Sequence, residues 1–158
     1  MGGSSLAPEV FQKTFGNAYR YPELIVLDST HPGAVRAVEN RINLTQTLFL
    51  ASSKSGTTLE TLSFFRYFWR RLGEQNESPG RHFVAITDPG SSLEQLAAER
   101  KFRAVFRAPS DVGGRYSALS VFGLAPAALI GADIRKLLRQ ALVMAEACAF
   151  CVPAGENP

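Results

Sequence analysis

A doubly wound α/β domain with a parallel sheet is predicted by three features of this 158-residue sequence. Short runs rich in β-branched or aromatic residues recur along it. Helically spaced stretches alternate with them, and polar or glycine-rich segments fall where the runs end. Parallel strands buried on both faces read as near-continuous apolar runs, and intervening helices supply the crossovers. In such folds ligands bind outside the carboxyl ends of the strands, near the switch in strand order.

The first β run is Leu24-Ile25-Val26-Leu27, followed by Asp28-Ser29-Thr30 and a helical stretch through Val35, Val38 and Ile42. Thr47-Leu48-Phe49-Leu50-Ala51 is the second, ending in the segment Ser52 to Thr58. A long helix then carries Leu62, Phe65, Trp69 and Leu72 at helical spacing. Thr57 and Glu60 have the spacing of a capping box at its start. The third run, Phe83-Val84-Ala85-Ile86, ends in Thr87-Asp88-Pro89-Gly90, and Ser91 with Glu94 makes a second capping box before a helix carrying Leu93, Leu96 and Ala97. The fourth, Arg103-Ala104-Val105-Phe106, leads to the loop Pro109 to Arg115 and a short helical stretch near Leu119 to Ala128. The final helix, from Asp133, aligns Ile134, Leu137, Leu138, Ala141, Leu142 and Ala145 in one apolar stripe. Gly2-Gly3-Ser4-Ser5 reads as a strand-to-helix loop before a helix from Leu6 to Phe15, with no strand ahead of it. Residues 153–158 read as the start of a linker after a domain of residues 1–152. On this pattern the chain is a fragment whose first strand is missing.

Composition narrows the function classes. Hydrophobic residues at 46% and charged residues at 20% describe an ordinary folded domain, not a disordered one. The apolar run from Val121 to Ala132 is too short for a bilayer, which needs about 20 such residues. The N-terminus has neither the basic start nor the apolar stretch of a signal peptide, so a cytoplasmic protein with no membrane partner is expected. The net charge of +3 suits anionic ligands but is too small to imply nucleic acid, and Arg66, Arg70, Arg71, Arg100, Lys101, Arg103 and Arg107 read as solvated faces. Cys148 and Cys151 form a CxxC with neither a second pair nor nearby histidines for zinc, and are expected to be small buried thiols. His31 suits a turn or helix start, and His82 a strand edge. No metal or other cofactor is called for.

Three loops can carry chemistry. Residues 52–58, Ser-Ser-Lys-Ser-Gly-Thr-Thr, precede a helix whose free N–H groups and dipole favour an anion. Hydroxyls can donate to phosphate oxygens and Lys54 can add a positive charge, each hydrogen bond to a charged group contributing about 1.5–3 kcal/mol. A nucleotide P-loop is excluded because GxxxxGK[ST] is missing, and a polar turn that only caps its helix has the same composition. Gly2-Gly3-Ser4-Ser5 allows close backbone approach, as do many Gly-Ser loops without a ligand. Gly113-Gly114-Arg115 combines flexible backbone with a planar cation suited to an oxyanion or developing enolate, or is a surface arginine after a turn.

Taken together, Gly2-Gly3-Ser4-Ser5-Leu6-Ala7-Pro8, Ser53-Lys54-Ser55-Gly56-Thr57-Thr58-Leu59-Glu60-Thr61 and Val112-Gly113-Gly114-Arg115-Tyr116-Ser117 resemble the glucose-6-phosphate isomerase family, in the family's order and with Thr87-Asp88-Pro89 between them. The chain looks like its first sugar-isomerase (SIS) domain, a flavodoxin-like fold, and the Ser-Gly-Thr-Thr form is closest to the isomerase half of transaldolase fusions. The resemblance implies that Ser53, Lys54, Ser55 and Thr58 grip the 6-phosphate of a sugar phosphate, glucose 6-phosphate or fructose 6-phosphate. It implies that Gly3 and Ser4 line the sugar site, and that Gly114 and Arg115 belong to the loop whose arginine stabilises the enediolate. The glutamate base and the ring-opening histidine and lysine of the family have no counterparts here. Low activity of the isolated chain and a possible homodimer follow from the same resemblance. A non-catalytic sugar-phosphate sensor is the alternative, although a sensor has no use for Arg115.

Overall fold

The computed structural model describes residues 3–153, 155, 157 and 158. Three strands form a parallel sheet in the order β1-β2-β3: β1 is Phe49–Ser52, β2 Phe83–Thr87 and β3 Ala104–Arg107. Around it lie α1 (Gly3–Phe15), α2 (Pro32–Arg41), α3 (Leu59–Gly73), α4 (Ser92–Glu99), α5 (Val121–Leu129) and α6 (Ile134–Ala147), with a 3-10 helix at Gly114–Leu119 leading into α5.

The strand period of two sorts the helices into two layers. Phe83 packs with Phe65, Phe68 and Leu72 of α3, and Ala51 and Ala85 pack with Leu93 and Ala97 of α4. Phe49 pairs with Phe83 and Ala51 with Ala85 in register, so these four share one face. Ile86 points to the other face, against Phe122 of α5. All five residues of β2 are buried, which is the burial a central parallel strand between two helical layers must have. Aromatic rings thicken the α3 side: Phe83 stacks on Phe49 at 4.9 Å and meets Phe65 edge-on at 5.3 Å, geometries that ring quadrupoles favour.

Helix starts follow local chemistry where a short polar side chain is free to turn back. The His31 imidazole Nδ1 accepts from Gly33 N–H at 3.1 Å at the start of α2, the helix-start role its position suggests. His82 places Nδ1 3.1 Å from the Thr47 carbonyl and Nε2 3.1 Å from Asn76 Nδ2, a structural use just ahead of β2. Ser91 Oγ accepts from Glu94 N–H at 3.1 Å, half of the expected capping box. The Glu94 carboxylate reaches back one residue further than expected, to Gly90 N–H at 2.5 Å. That bond first, and then Arg107, hold the Glu94 carboxyl below its usual range.

Several expectations are corrected. Residues 24–27 form no strand, because no neighbouring strand hydrogen-bonds to them. Gly3, Ser4 and Ser5 lie in the first turn of α1 instead of a loop, and Gly2 lies outside the described residues. The N-cap of α3 is Thr58, not Thr57, and it makes no side-chain cap hydrogen bond. The apolar stripe of α6 is not a core face: none of its residues is buried and Leu142 is 65% exposed, since among the described elements the helix meets little besides α5. Cys148 and Cys151 are both exposed, being on the solvated end of that helix, with Cys148 Sγ 3.8 Å from Met144 Sδ. Arg66, Arg70, Arg100, Lys101, Arg103 and Arg107 are exposed as expected, whereas Arg71 is half-buried between two carboxylates. No helix among the described residues is long and apolar enough to cross a membrane.

Arg71 of α3 ties that helix to α2: its Nε lies 2.6 Å from Glu39 Oε1, and the Tyr67 hydroxyl donates to the other oxygen at 2.7 Å. The Arg71 hydrogen bond, aided by that of Tyr67, lowers the Glu39 pKa below its ordinary value. A lowered folded-state pKa gives stability that is present above the unfolded value and is lost as the pH falls through the folded one. Glu39→Gln should therefore lower the urea midpoint at neutral pH, and the gap to the unsubstituted chain should close as the pH is taken to about 3. Truncating the fully buried Leu72 to Ala should cost about 2–5 kcal/mol in urea denaturation. The same change at exposed Leu142 should stay within about 0.5 kcal/mol.

Candidate functional site

The loop after β1 is built by hydroxyls that bond to one another. Ser53, only 3% exposed, accepts from Gly56 N–H at 3.1 Å, and its Oγ lies 2.8 Å from Thr58 Oγ1. Gly56 has φ +75, and a Cβ there would come within 2.5 Å of Leu93 N, so the turn needs glycine for both conformation and space. Ser92 Oγ at the start of α4 donates to the Gly56 carbonyl at 2.9 Å, fixing the turn against the next helix. Ser55 and Thr57 form a smaller exposed unit, Thr57 N–H donating to Ser55 Oγ at 3.2 Å.

This arrangement decides what the loop offers to a ligand. Thr58 occupies the N-cap position of α3, but its hydroxyl is engaged with Ser53 and does not cap. The N–H groups of Thr58, Leu59, Glu60 and Thr61 consequently have no acceptor among the described residues. Four unsatisfied donors at the positive end of a helix form an anion-binding arrangement.

Lys54 is positioned and partly neutralised by its neighbours. Its Nζ lies 2.7 Å from Asp88 Oδ2 and 3.1 Å from the Ser110 carbonyl. Asp88 follows β2 at the same sheet end, and its N–H donates to the Lys54 carbonyl at 3.1 Å, so the strand-end turns of β1 and β2 are joined through backbone and side chain. Asp88 Oδ1 is buried with no hydrogen-bond partner among the described residues. The Lys54 ammonium is thus held by the segments after two other strands, at Asp88 and Ser110, instead of projecting as an isolated cation. In the sequence, Thr87-Asp88-Pro89 stands out as the end of a β run and as a family landmark, with no role assigned to Asp88. Its place at the end of the neighbouring strand was the signal that could have identified Asp88 as the lysine's partner.

The remaining candidates lie nearby with less direct contact. Ser4 of α1 and Thr58 line the same cavity of about 580 Å³, which also takes in Asp28, Ser52 and Glu60. Gly3 begins α1. Gly114 and Arg115 open the 3-10 helix that packs against α1. Arg115 is exposed and makes no ion pair among the described residues. The structure therefore brings Ser53, Lys54, Ser55 and Thr58 into one loop, and Ser4 to the same cavity as Thr58. It puts the 109–115 loop in touch with Lys54 through Ser110, but leaves the Arg115 guanidinium outside that hydrogen-bonded network.

Comparison with known proteins fits this geometry. The family model described as phosphoglucose isomerase matches residues 1–154. The chain is 38% identical over 146 residues to the glucose-6-phosphate isomerase of Prochlorococcus marinus (strain NATL2A), covering 91% of this chain and 28% of that protein. Among solved structures, a protein of Thermus thermophilus described as hypothetical superposes with a TM-score of 0.87 at 34% identity, over 99% of this chain and 37% of its own. A glucose-6-phosphate isomerase from Chlamydia trachomatis superposes with a TM-score of 0.82 at 27% identity, over 93% of this chain and 28% of its own. This chain spans roughly a third of the length of these relatives. With the match running through all three strands and every candidate loop, the chain belongs to the phosphoglucose isomerase family.

Proposed function

We propose that this chain is the sugar-phosphate-binding part of a glucose-6-phosphate isomerase, interconverting glucose 6-phosphate and fructose 6-phosphate through an enediolate. The observation that carries the reading is the uncapped first turn of α3 beside Lys54. A tetrahedral phosphate dianion suits several convergent N–H donors and a nearby ammonium. In this reading the N–H groups of residues 58–61 and the hydroxyls of Ser55 and Thr58 hold the phosphate. Ser53 holds Thr58 and the turn in place, and Lys54 supplies charge. Gly3 and Ser4 border the sugar, Ser4 from the wall of the cavity that it shares with Thr58.

Gly114 and Arg115 would come over the reacting carbons once substrate is bound, the guanidinium stabilising the negative oxygen of the enediolate as it develops. Proton transfer between C1 and C2 needs a base at the substrate, and the groups assigned here bind and stabilise charge only. General acid–base catalysis contributes about 10²–10⁴-fold. The isolated 158 residues should therefore bind sugar phosphate weakly and isomerise it negligibly. Substrate sugar phosphate is the one partner this reading needs; a homodimer that completes the site is compatible with it.

An NMR titration with glucose 6-phosphate, with glucose as control, tests the binding reading. Saturable shifts with the phosphorylated sugar alone, largest at residues 53–61, are expected; equal shifts with glucose would exclude a phosphate grip. Lys54→Ala should weaken binding about tenfold or more, as expected for losing one charge-assisted hydrogen bond. Gly56→Ala should weaken it further and lower stability, because the added methyl meets Leu93 N. Arg115→Ala should leave the affinity for glucose 6-phosphate nearly unchanged while removing any preference for 6-phosphogluconate, whose carboxylate places negative charge near the position of the enediolate.

A further inference from the structure

The phosphate-binding reading makes no use of Cys148 and Cys151. α6 ends at Ala147, and Cys148 is its C-cap, with φ −97 and ψ 14 and its N–H donating to the Met144 carbonyl at 2.9 Å. This near-helical geometry carries the spacing of the helix one residue further, so Cys148 stands one turn beyond Met144 on the same face. Its Sγ lies 3.8 Å from Met144 Sδ. Ala149 N–H then donates to the Glu146 carbonyl at 3.2 Å, and Val152 N–H to the Ala149 carbonyl at 2.9 Å. The chain therefore turns at the helix end, with Cys151 the third residue of that turn. Met144 and both cysteines are exposed, and so is Phe150 between the cysteines.

Distance, polarity and donor type agree on what such a group of sulfurs suits. Two sulfurs bonded to one metal ion at about 2.3 Å stand about 3.8–4.0 Å apart when the angle between the bonds is tetrahedral to trigonal. The separation of Met144 Sδ and Cys148 Sγ, 3.8 Å, has that value. A helix C-terminus carries partial negative charge on its free carbonyls and favours a cation, and no basic residue stands in the last turn of α6 to take that place. A redox CxxC opens a helix, where the opposite pole supports a thiolate; this one closes a helix. Among the described residues no three His, Cys, Asp or Glu side chains come together, so the four ligands of a structural zinc site are not assembled. Two thiolates and a thioether are soft donors, and soft donors select monovalent copper.

We propose that Met144, Cys148 and Cys151 form a three-sulfur site for a soft monovalent cation, Cu(I), at the carboxyl end of α6. On binding, both thiols give their protons to solvent, and two copper–thiolate bonds and one copper–thioether bond form. Copper stays Cu(I), so no electron donor or acceptor takes part. The bound ion ties the turn at residues 149–152 to the last turn of α6. The site stands whether or not the loop after β1 binds sugar phosphate.

The test uses the 158-residue chain, reduced and kept free of oxygen, titrated with Cu(I) against a chromophoric Cu(I) chelator. One Cu(I) per chain should be withdrawn from the chelator, with no change in sedimentation, and X-ray absorption should count three sulfurs around the ion. Cys148→Ser and Cys151→Ser should each lose the copper to the chelator. Met144→Leu should hold it about tenfold less tightly, with two sulfurs remaining. All three side chains are exposed, so the variants should keep the circular dichroism of the unsubstituted chain. Either serine variant holding copper as tightly as the unsubstituted chain would overturn the proposal, because one exposed thiol would then suffice. So would one Cu(I) per two chains with a doubled mass, which would put the ion between copies. Two-sulfur coordination that Met144→Leu leaves unchanged would overturn the three-sulfur site by removing the thioether from it.

Discussion

Every ladder in the sheet runs through β2. β1 and β3 each pair with it and not with each other, and its five residues are all buried between helical layers. Phe83 at its start joins the aromatic cluster under α3, Ala85 leaves room for α4, and Ile86 anchors α5 on the opposite face. Because β2 sets the register of both neighbours, it also sets which loops meet at its carboxyl end. Residue 88 comes beside residue 54 only because Ser52 pairs with Ile86.

That register turns ordinary loop chemistry into a site. A threonine at a helix N-cap normally closes the helix start on itself. Here Ser53 and Thr58 bond to each other, so the cap is exchanged for a rigid turn and an open row of N–H donors. Asp88 similarly gives up some of the positive field of Lys54 while fixing where the ammonium stands. Both exchanges favour position over local stability, and the phosphate-binding reading requires a preformed arrangement of this kind.

The cavity beside β1 and the loop after β1 are two consequences of the same strand. Its inner edge is spent on β2, no described strand pairs with its outer edge, and its carboxyl end opens into residues 53–58.

The sequence by itself determined the alternation of apolar runs and helices, three of the four expected strands, the Ser91 cap and the strand-end loops that follow β1 and β3. These depend on local periodicity, turn chemistry and residue order, which the chain carries in itself. Three features depended on tertiary structure. Residues 24–27 have strand composition, yet a strand exists only where a neighbour pairs with it, and β1 lies across the cavity from them. The stripe on α6 and the two cysteines look like core by spacing, yet burial requires a facing element, and none of the described elements covers them. Thr57 had the capping-box spacing, but the hydroxyl contact between Ser53 and Thr58 moved the helix start by one residue and left it uncapped. In each case the local pattern was correctly read, and the outcome was set by which partner the fold did or did not bring within hydrogen-bonding or packing distance.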